Sequence, residues 1–284
     1  VRFEFAGALP LADGRYLARS ADAEERESVL VLQRIGAPVA PGRKRRRARE
    51  AEAEPRALAL TRATAIRAFA PFATEDEAAR WLDQACEAED TIEVLAEEGL
   101  APLNRALHAQ AVAAADPSAQ SALAPEGAER VLLGFGSGEE VAEGRFTEAR
   151  EVDLGPRRSS RRRRHEEELR PQERVAAVLR GREQLDACET LLLRARADLD
   201  AGRTREAALQ LRVGLEALLV ELKGALADPG HEEDMATLHT RRSEAGTAAN
   251  AALEGELSKD QLTQVEELLQ LSERVLRRRR ILRG

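Results

Sequence analysis

Apolar positions recur at two different periods along this chain, and the change of period divides it. In the first part the repeat is short. Arg2-Phe3-Glu4-Phe5 alternates polar and apolar side chains, as a half-buried strand does. Asp13-Gly14 is a turn dipeptide followed by Arg15–Arg19, so residues 2–6 and 15–19 are expected to form a hairpin-like pair. Ser28-Val29-Leu30-Val31-Leu32 is apolar and β-branched, a buried strand closed by the glycine and prolines of Ile35–Pro41. Thr61, Thr64, Ile66 and Phe69 predict a further strand ending near Pro71. Thr74 and Glu77 then have capping-box spacing and open a helix with Ala78, Trp81, Leu82 and Ala85 on one face. Apolar residues continue through Ile92, Val94 and Leu95 to Leu103 and Leu107, with a break expected at Gly99 and Pro102. Glu129–Phe135 and Gly144–Val152 predict two closing strands joined by a turn. Strands first, then helix, then strands is the order of an α+β domain with a mixed or antiparallel sheet, and a ferredoxin-like arrangement is compatible with it.

Beyond residue 170 the period lengthens. Val178, Leu185, Cys188, Leu192, Ala195 and Leu199 are spaced by sevens, threes and fours, which predicts one helix running from Pro171 to the stop at Gly202. Ala208, Leu211, Leu215, Leu218 and Leu222 form the stripe of a second helix, widened by Val213, Leu219 and Val220. The joint Ala201-Gly202-Arg203 is too short for anything but an antiparallel pair. Two more helices are expected. One begins near His231 and carries Met235, Leu238, Ala245, Ala249 and Ala252; the other begins at Ser258 and carries Leu262, Val265, Leu269 and Leu276. Four helices with short joints predict an up-and-down bundle. The expected organisation is therefore an α+β domain over 1–154, with 43–56 a loop or disordered insertion, an Arg-rich linker over 155–169, and an all-α antiparallel bundle over 170–284. Leu185, Leu192, Leu211, Leu215, Leu218 and Leu222 are the candidate helical interface. Gly202-Arg203-Thr204-Arg205-Glu206-Ala207-Ala208, ahead of a Leu-rich helix, resembles the helix pairs of repeat adaptors and HEPN-type bundles. The Arg-x(4–6)-His pattern of HEPN nucleases occurs only in the linker, from Arg158 to His165, so the resemblance implies a helix pair and no activity.

Composition supports the same division. The chain has 284 residues, enough for two domains, and only 3% are aromatic. Phe3, Phe5, Tyr16, Phe69, Phe72, Trp81, Phe135 and Phe146 are all the aromatics, and none lies after position 146. The first part has a core with rings; the second is built from Leu, Ala and Val. Cys86 and Cys188 fall in different parts without CxxC spacing, which fits a reducing, cytoplasmic setting and two small buried side chains. No apolar run is long enough for a transmembrane helix. A leading Val suggests a GTG start and hence a bacterial gene.

Net charge is −7, but the basic residues are clustered. Three runs, 43–49, 157–164 and 277–283, hold seventeen of the 44 Lys and Arg, leaving 27 against 51 Asp and Glu elsewhere. Each run either folds back on acidic surface or meets an external polyanion. Arg43, Lys44, Arg45, Arg46, Arg47, Arg157, Arg158, Arg161, Arg162, Arg163 and Arg164 are thus the candidate phosphate contacts, and nucleic acid is one candidate partner. No aromatic accompanies them for base stacking.

Other chemistry is thin. Gly134-Phe135-Gly136-Ser137-Gly138 follows a strand, as a phosphate loop would, but Glu139 and Glu140 come next and Gly144 is expected to cut off any helix, so a hairpin turn is the reading. His231, Glu232, Glu233, Asp234 and His239 lack ExxH or HExxH spacing, and an acidic helix start explains them. With four His and no nucleophile motif, no catalytic, metal or cofactor residue is assigned. The expected function is a non-enzymatic interaction protein that uses its bundle to bind a protein partner or itself. The alternatives are a nucleic-acid-associated protein acting through the Arg runs, and an enzyme with a pocket near Trp81, Phe135 and Phe146.

Overall fold

The computed structural model describes residues 1–19, 27–36, 59–67, 71–116, 122–154, 174–223 and 228–283. They fall into two compact units, Val1–Arg157 and Arg158–Gly284. The 43–56 insertion and the 155–169 linker, with every candidate arginine and lysine in them, lie outside the described residues.

The first unit is built on one six-stranded antiparallel sheet, β1 (Arg2–Ala6), β2 (Gly14–Arg19), β3 (Glu27–Ile35), β4 (Leu60–Arg67), β5 (Arg130–Phe135) and β6 (Glu148–Glu151). Their order is β2-β3-β4-β1-β5-β6. The expected pairing of residues 2–6 with 15–19 is therefore wrong. β1 lies between β4 and β5, with Phe3 opposite Ala63 and Val131, while β2 pairs with β3. The physical reason is burial: Phe3 and Phe5 need cover on both flanks, which a central strand has and an edge hairpin lacks. Four strands precede the first helix, which also removes the ferredoxin-like order.

Two helices, α1 (Glu75–Glu87) and α2 (Glu89–Ala113), cover one face of the sheet. The start of α1 is capped as its sequence implies. The Glu77 backbone N–H donates to Thr74 Oγ1 at 3.2 Å, and the Glu77 carboxylate accepts from the Ala73 N–H at 2.9 Å. No break occurs at Gly99 or Pro102; α2 runs through both. Gly99 serves a close approach instead, since a Cβ there would stand 3.0 Å from Val1 Cβ and 3.5 Å from the Phe3 ring. Leu100, Leu103 and Leu107 join Phe3, Phe5, Leu30, Leu82 and Leu133 in the core.

A short helix, α3 (Gly138–Ala142), lies between β5 and β6 where a plain turn was expected. Gly144 follows it in the left-handed region at φ 94°, ending the helix without preventing it. The glycines ahead of α3 serve strand packing: a Cβ at Gly134 would be 2.5 Å from the Glu148 carbonyl oxygen, and one at Gly136 would be 2.9 Å from the Thr147 nitrogen.

The second unit contains α4 (Ala187–Asp200), α5 (Thr204–Glu221), α6 (Pro229–Glu254) and α7 (Lys259–Arg283). Helix α5 packs against the other three. The core holds Leu192, Leu211, Leu215, Leu218, Leu222, Leu238, Val265, Leu268 and Leu269, while Ala245, Ala248, Ala249 and Ala252 form the small-residue face of α6. At the start of α7 the Ser258 and Gln261 side chains each accept the other's backbone N–H, at 3.3 and 2.9 Å.

The single helix expected from Pro171 to Asp200 is two pieces. A helical segment at 174–179 ends at Gly181, φ 68°. There the Gly181 N–H bonds the Val178 carbonyl at 3.0 Å and the Arg182 N–H bonds the Ala177 carbonyl at 2.9 Å, a Schellman stop. Gly202 closes α4 in the same way, with Arg203 N–H on the Asp198 carbonyl at 2.8 Å. Two glycines thus act as stops where one was expected.

Candidate functional site

In the bundle, the side chains expected to form an interface divide sharply. Leu192, Leu211, Leu215, Leu218 and Leu222 are fully buried in the bundle's own core. Leu185 sits in the turn before α4 and is 59% exposed. The a/d-like spacing crosses the Schellman stop between Val178 and Leu185, and Leu185 lies ahead of the first residue of α4, so the pattern never belonged to one helix. The apolar side chains left facing solvent are others: Leu193 at 71%, Val213 at 55%, Val220 at 76%, Leu253, and Val175 with Leu179 one turn apart on the 174–179 segment.

A latch of charges holds the start of this helix pair. The Glu221 carboxylate, at the end of α5, accepts from the backbone N–H groups of Ala187 and Cys188 at 3.3 and 3.0 Å. It caps α4 from across the hairpin, where Asp186 makes no side-chain cap bond. Arg174 grips Glu189 with two bonds of 2.9 and 2.6 Å and reaches Glu183 at 2.7 Å. Burial alone raises the Glu189 carboxyl, but the Arg174 bonds and charge hold it below its ordinary range. The Cys188 thiol is pushed up to about 12, chiefly by burial and then by the Glu221 carboxylate.

The third basic run is largely met by acids of the same unit. Arg278 and Arg274 both donate to the Asp234 carboxylate, at 2.9 and 2.8 Å. Arg279 pairs with Asp186, and Arg280 lies 3.8 Å from Glu189. Here the intramolecular alternative holds. The His231 cluster does not converge on a metal site: His231 is buried, Asp234 is taken by the arginines, and His239 is exposed. Among the described residues no group of three or more His, Cys, Asp or Glu could hold a metal ion. Nor is any described helix long and apolar enough to cross a membrane.

In the first unit, the rings proposed to line an enzyme pocket are separated by the sheet. Trp81 packs on Phe72 with ring centroids 5.3 Å apart, and like Phe135 it belongs to the helix-covered face. Phe146 lies on the opposite face, stacked on the Arg2 guanidinium at 4.4 Å. A cleft of about 390 Å³ lies elsewhere, lined by residues 125–126, 128–131 and 151–154, with Glu126, Glu129, Glu151 and Asp153 on its walls. The sheet face under Phe146 was not anticipated from sequence. Register puts Arg2 beside Thr64 and Leu132, and Glu4 beside Arg62 and Arg130, with Gln33 beyond Arg62. Their alternation with Phe3 and Phe5 is visible, but reads as a solvated strand face; of the parts that cover it, α3 is expected as a turn and Phe146 as part of the strand Gly144–Val152. Comparison with protein-family models, curated proteins and solved structures finds no match.

Proposed function

We propose that this chain is a non-enzymatic interaction protein whose helical bundle associates with another polypeptide. The observation that carries the reading is the exposure of Leu193, Val213 and Val220 on the two helices whose opposite stripes are consumed by the bundle core. A helix needs only one apolar stripe to join a bundle, so large apolar side chains outside that stripe are available for a second contact. Withdrawing a fully exposed Val or Leu side chain from water contributes about 1.5–3 kcal/mol, so these three supply part of the free energy that offsets the translational and rotational freedom lost on association. The assay is light scattering over a concentration series, together with a pull-down that uses wild type and the triple variant Leu193→Glu, Val213→Glu, Val220→Glu as baits. The expected result is association, with itself or a second protein, that the triple variant loses. A wild type that stays monomeric and retains nothing beyond what the triple variant retains removes the reading.

A further inference from the structure

The sheet face beneath Phe146 holds a cation that its cover desolvates without full compensation. Arg2 is only 5% exposed, and among the described residues its guanidinium donates one hydrogen bond, Nε to Thr64 Oγ1 at 3.3 Å. Its Nη2 is sealed from solvent with no partner. The arginines on either side are matched. Arg62 donates through Nε and Nη2 to Glu4 Oε1 at 3.0 and 2.9 Å, and Arg130 pairs with Glu151 at 2.8 Å. Burial and then the Arg62 charge push the Arg2 guanidinium below its ordinary value. Taking water from a charged donor and giving it nothing in return costs more than an ordinary hydrogen bond contributes. The Phe146 ring, its centroid 4.4 Å from the guanidinium carbon, offsets part of that cost.

The cover is a self-contained segment. It leaves β5 and returns to β6 with α3 inside it, and its two ends meet where the Thr147 N–H donates to the Phe135 carbonyl at 2.9 Å. Its backbone hydrogen bonds close within it: Val141 donates to Ser137, Glu143 to Glu139, Gly144 to Val141 and Arg145 to Glu140. None of its residues takes part in the pairing of β5 with β6, so lifting it breaks no rung of the sheet. It holds to the sheet through Val141 and Ala142, buried where α3 packs on β4, and through the Phe146 ring. Glu139 adds an ion pair with Arg15 at 2.9 Å, but both side chains are exposed and the pair contributes little. Gly136 and Gly144 flank α3, the latter at φ 94°, which supplies backbone freedom on both sides of it.

We infer that residues 136–146 form a lid over Arg2, hinged at the Phe135–Thr147 pair, that opens as a unit while the sheet stays paired. Opening hydrates the Arg2 guanidinium and uncovers a sheet face that carries Arg2, Arg62 and Gln33. Closing buries Val141 and Ala142 and seats Phe146 on Arg2. The two states are held close in free energy because the same closure gains apolar burial and strands a charged donor, which puts the lid at the low-stability end of this unit. This is a property of the first unit and is independent of bundle association.

The test is hydrogen exchange of the full chain read by mass spectrometry, comparing peptides over the lid with peptides over β3 and β4 in a series of low urea concentrations. In wild type the lid amides should exchange faster than those of β3 and β4, at a rate that urea hardly changes, because opening exposes little surface; the sheet amides should accelerate with urea. Arg2→Met combined with Thr64→Val replaces both partners of the buried bond by apolar groups of similar shape and keeps a soft side chain against Phe146. Lid exchange in this variant should slow about fivefold beyond any change in the β3 and β4 peptides, as loss of one uncompensated donor implies. Lid amides that exchange in step with β3 and β4 throughout the wild-type urea series overturn the proposal. So does a variant whose lid exchanges as fast as wild type, since Arg2 would then not drive opening. If the double variant does not fold, Arg2→Met alone and the wild-type urea series decide.

Discussion

Two glycines in the bundle should respond in opposite directions to the same substitution. Gly246 lies inside α6 with nothing within 4 Å of where a Cβ would be. Gly246→Ala gains helix propensity and reduces the freedom of the unfolded chain, so it should stabilise the protein by about 0.5–1 kcal/mol. Gly214 lies inside α5 at its contact with α4. A Cβ there would stand 3.0 Å from Leu192 Cδ2, 3.1 Å from Leu192 Cγ and 3.2 Å from Leu191 Cβ. Leu192 is itself 1% exposed, and Leu191 Cβ is fixed to its backbone, so neither can simply turn away. Overpacking of this kind costs about 1–3 kcal/mol, against about 1 kcal/mol of propensity gain. Gly214→Ala should therefore be net destabilising, by up to about 2 kcal/mol. Urea unfolding followed by circular dichroism at the helical minimum reads both variants on one scale. The midpoint should rise for Gly246→Ala and fall for Gly214→Ala. A rise in both would refute the claim that α4 and α5 touch through Gly214.

Three further outcomes are expected. Glu189 has a native pKa depressed by Arg174, so the stability it contributes is fully present above its unfolded value, near pH 4.3, and is lost as pH falls through the native value. Hydrogen exchange over 174–183 should accelerate in that acid range in wild type, and should already be fast and independent of pH change there, after correction for intrinsic rates, in Glu189→Gln. Glu221→Ala removes the cap on α4 and should cost about 1 kcal/mol, with faster exchange at Ala187 and Cys188. Cys188 is buried with its thiol held up at about 12, whereas Cys86 is partly exposed and only raised. A thiol reagent at pH 8 should therefore modify Cys86 first and reach Cys188 only as fast as the bundle opens. Equal rates would contradict the burial of Cys188.

The elements of this fold were legible where local chemistry decides them. Thr74 with Glu77 and Ser258 with Gln261 announced helix starts because the bonding side chains lie within one turn of their partners. The stripe Leu211, Leu215, Leu218 and Leu222 announced a buried helix face because helical period and burial coincide there. What failed depends on distant partners. Gly99 and Pro102 resemble a break until β1 is seen lying against Gly99. The pairing of β1 with β4 and β5 joins residues that are remote in sequence, and alternation carries no information about which strand is the neighbour. The Arg2 cluster was hidden for a related reason. A polar residue at an alternating position means solvent unless another segment covers it, and nothing about Phe146 in sequence points to Arg2.

The central place of β1 also bears on how fast each unit forms. Its neighbours, β4 and β5, begin at Leu60 and Arg130, so the middle of the sheet cannot be assembled until most of the unit's chain is available. In the bundle, α4 meets α5, α5 meets α6 and α6 meets α7, each pair joined by a short connection. Loop-closure entropy weighs on the first arrangement and hardly on the second. During synthesis the N-terminal strand waits for partners that emerge much later, whereas each bundle helix finds its partner almost as soon as it is made. The sheet unit is therefore the slow folder, and Trp81, within it, is the probe that should report the late phase.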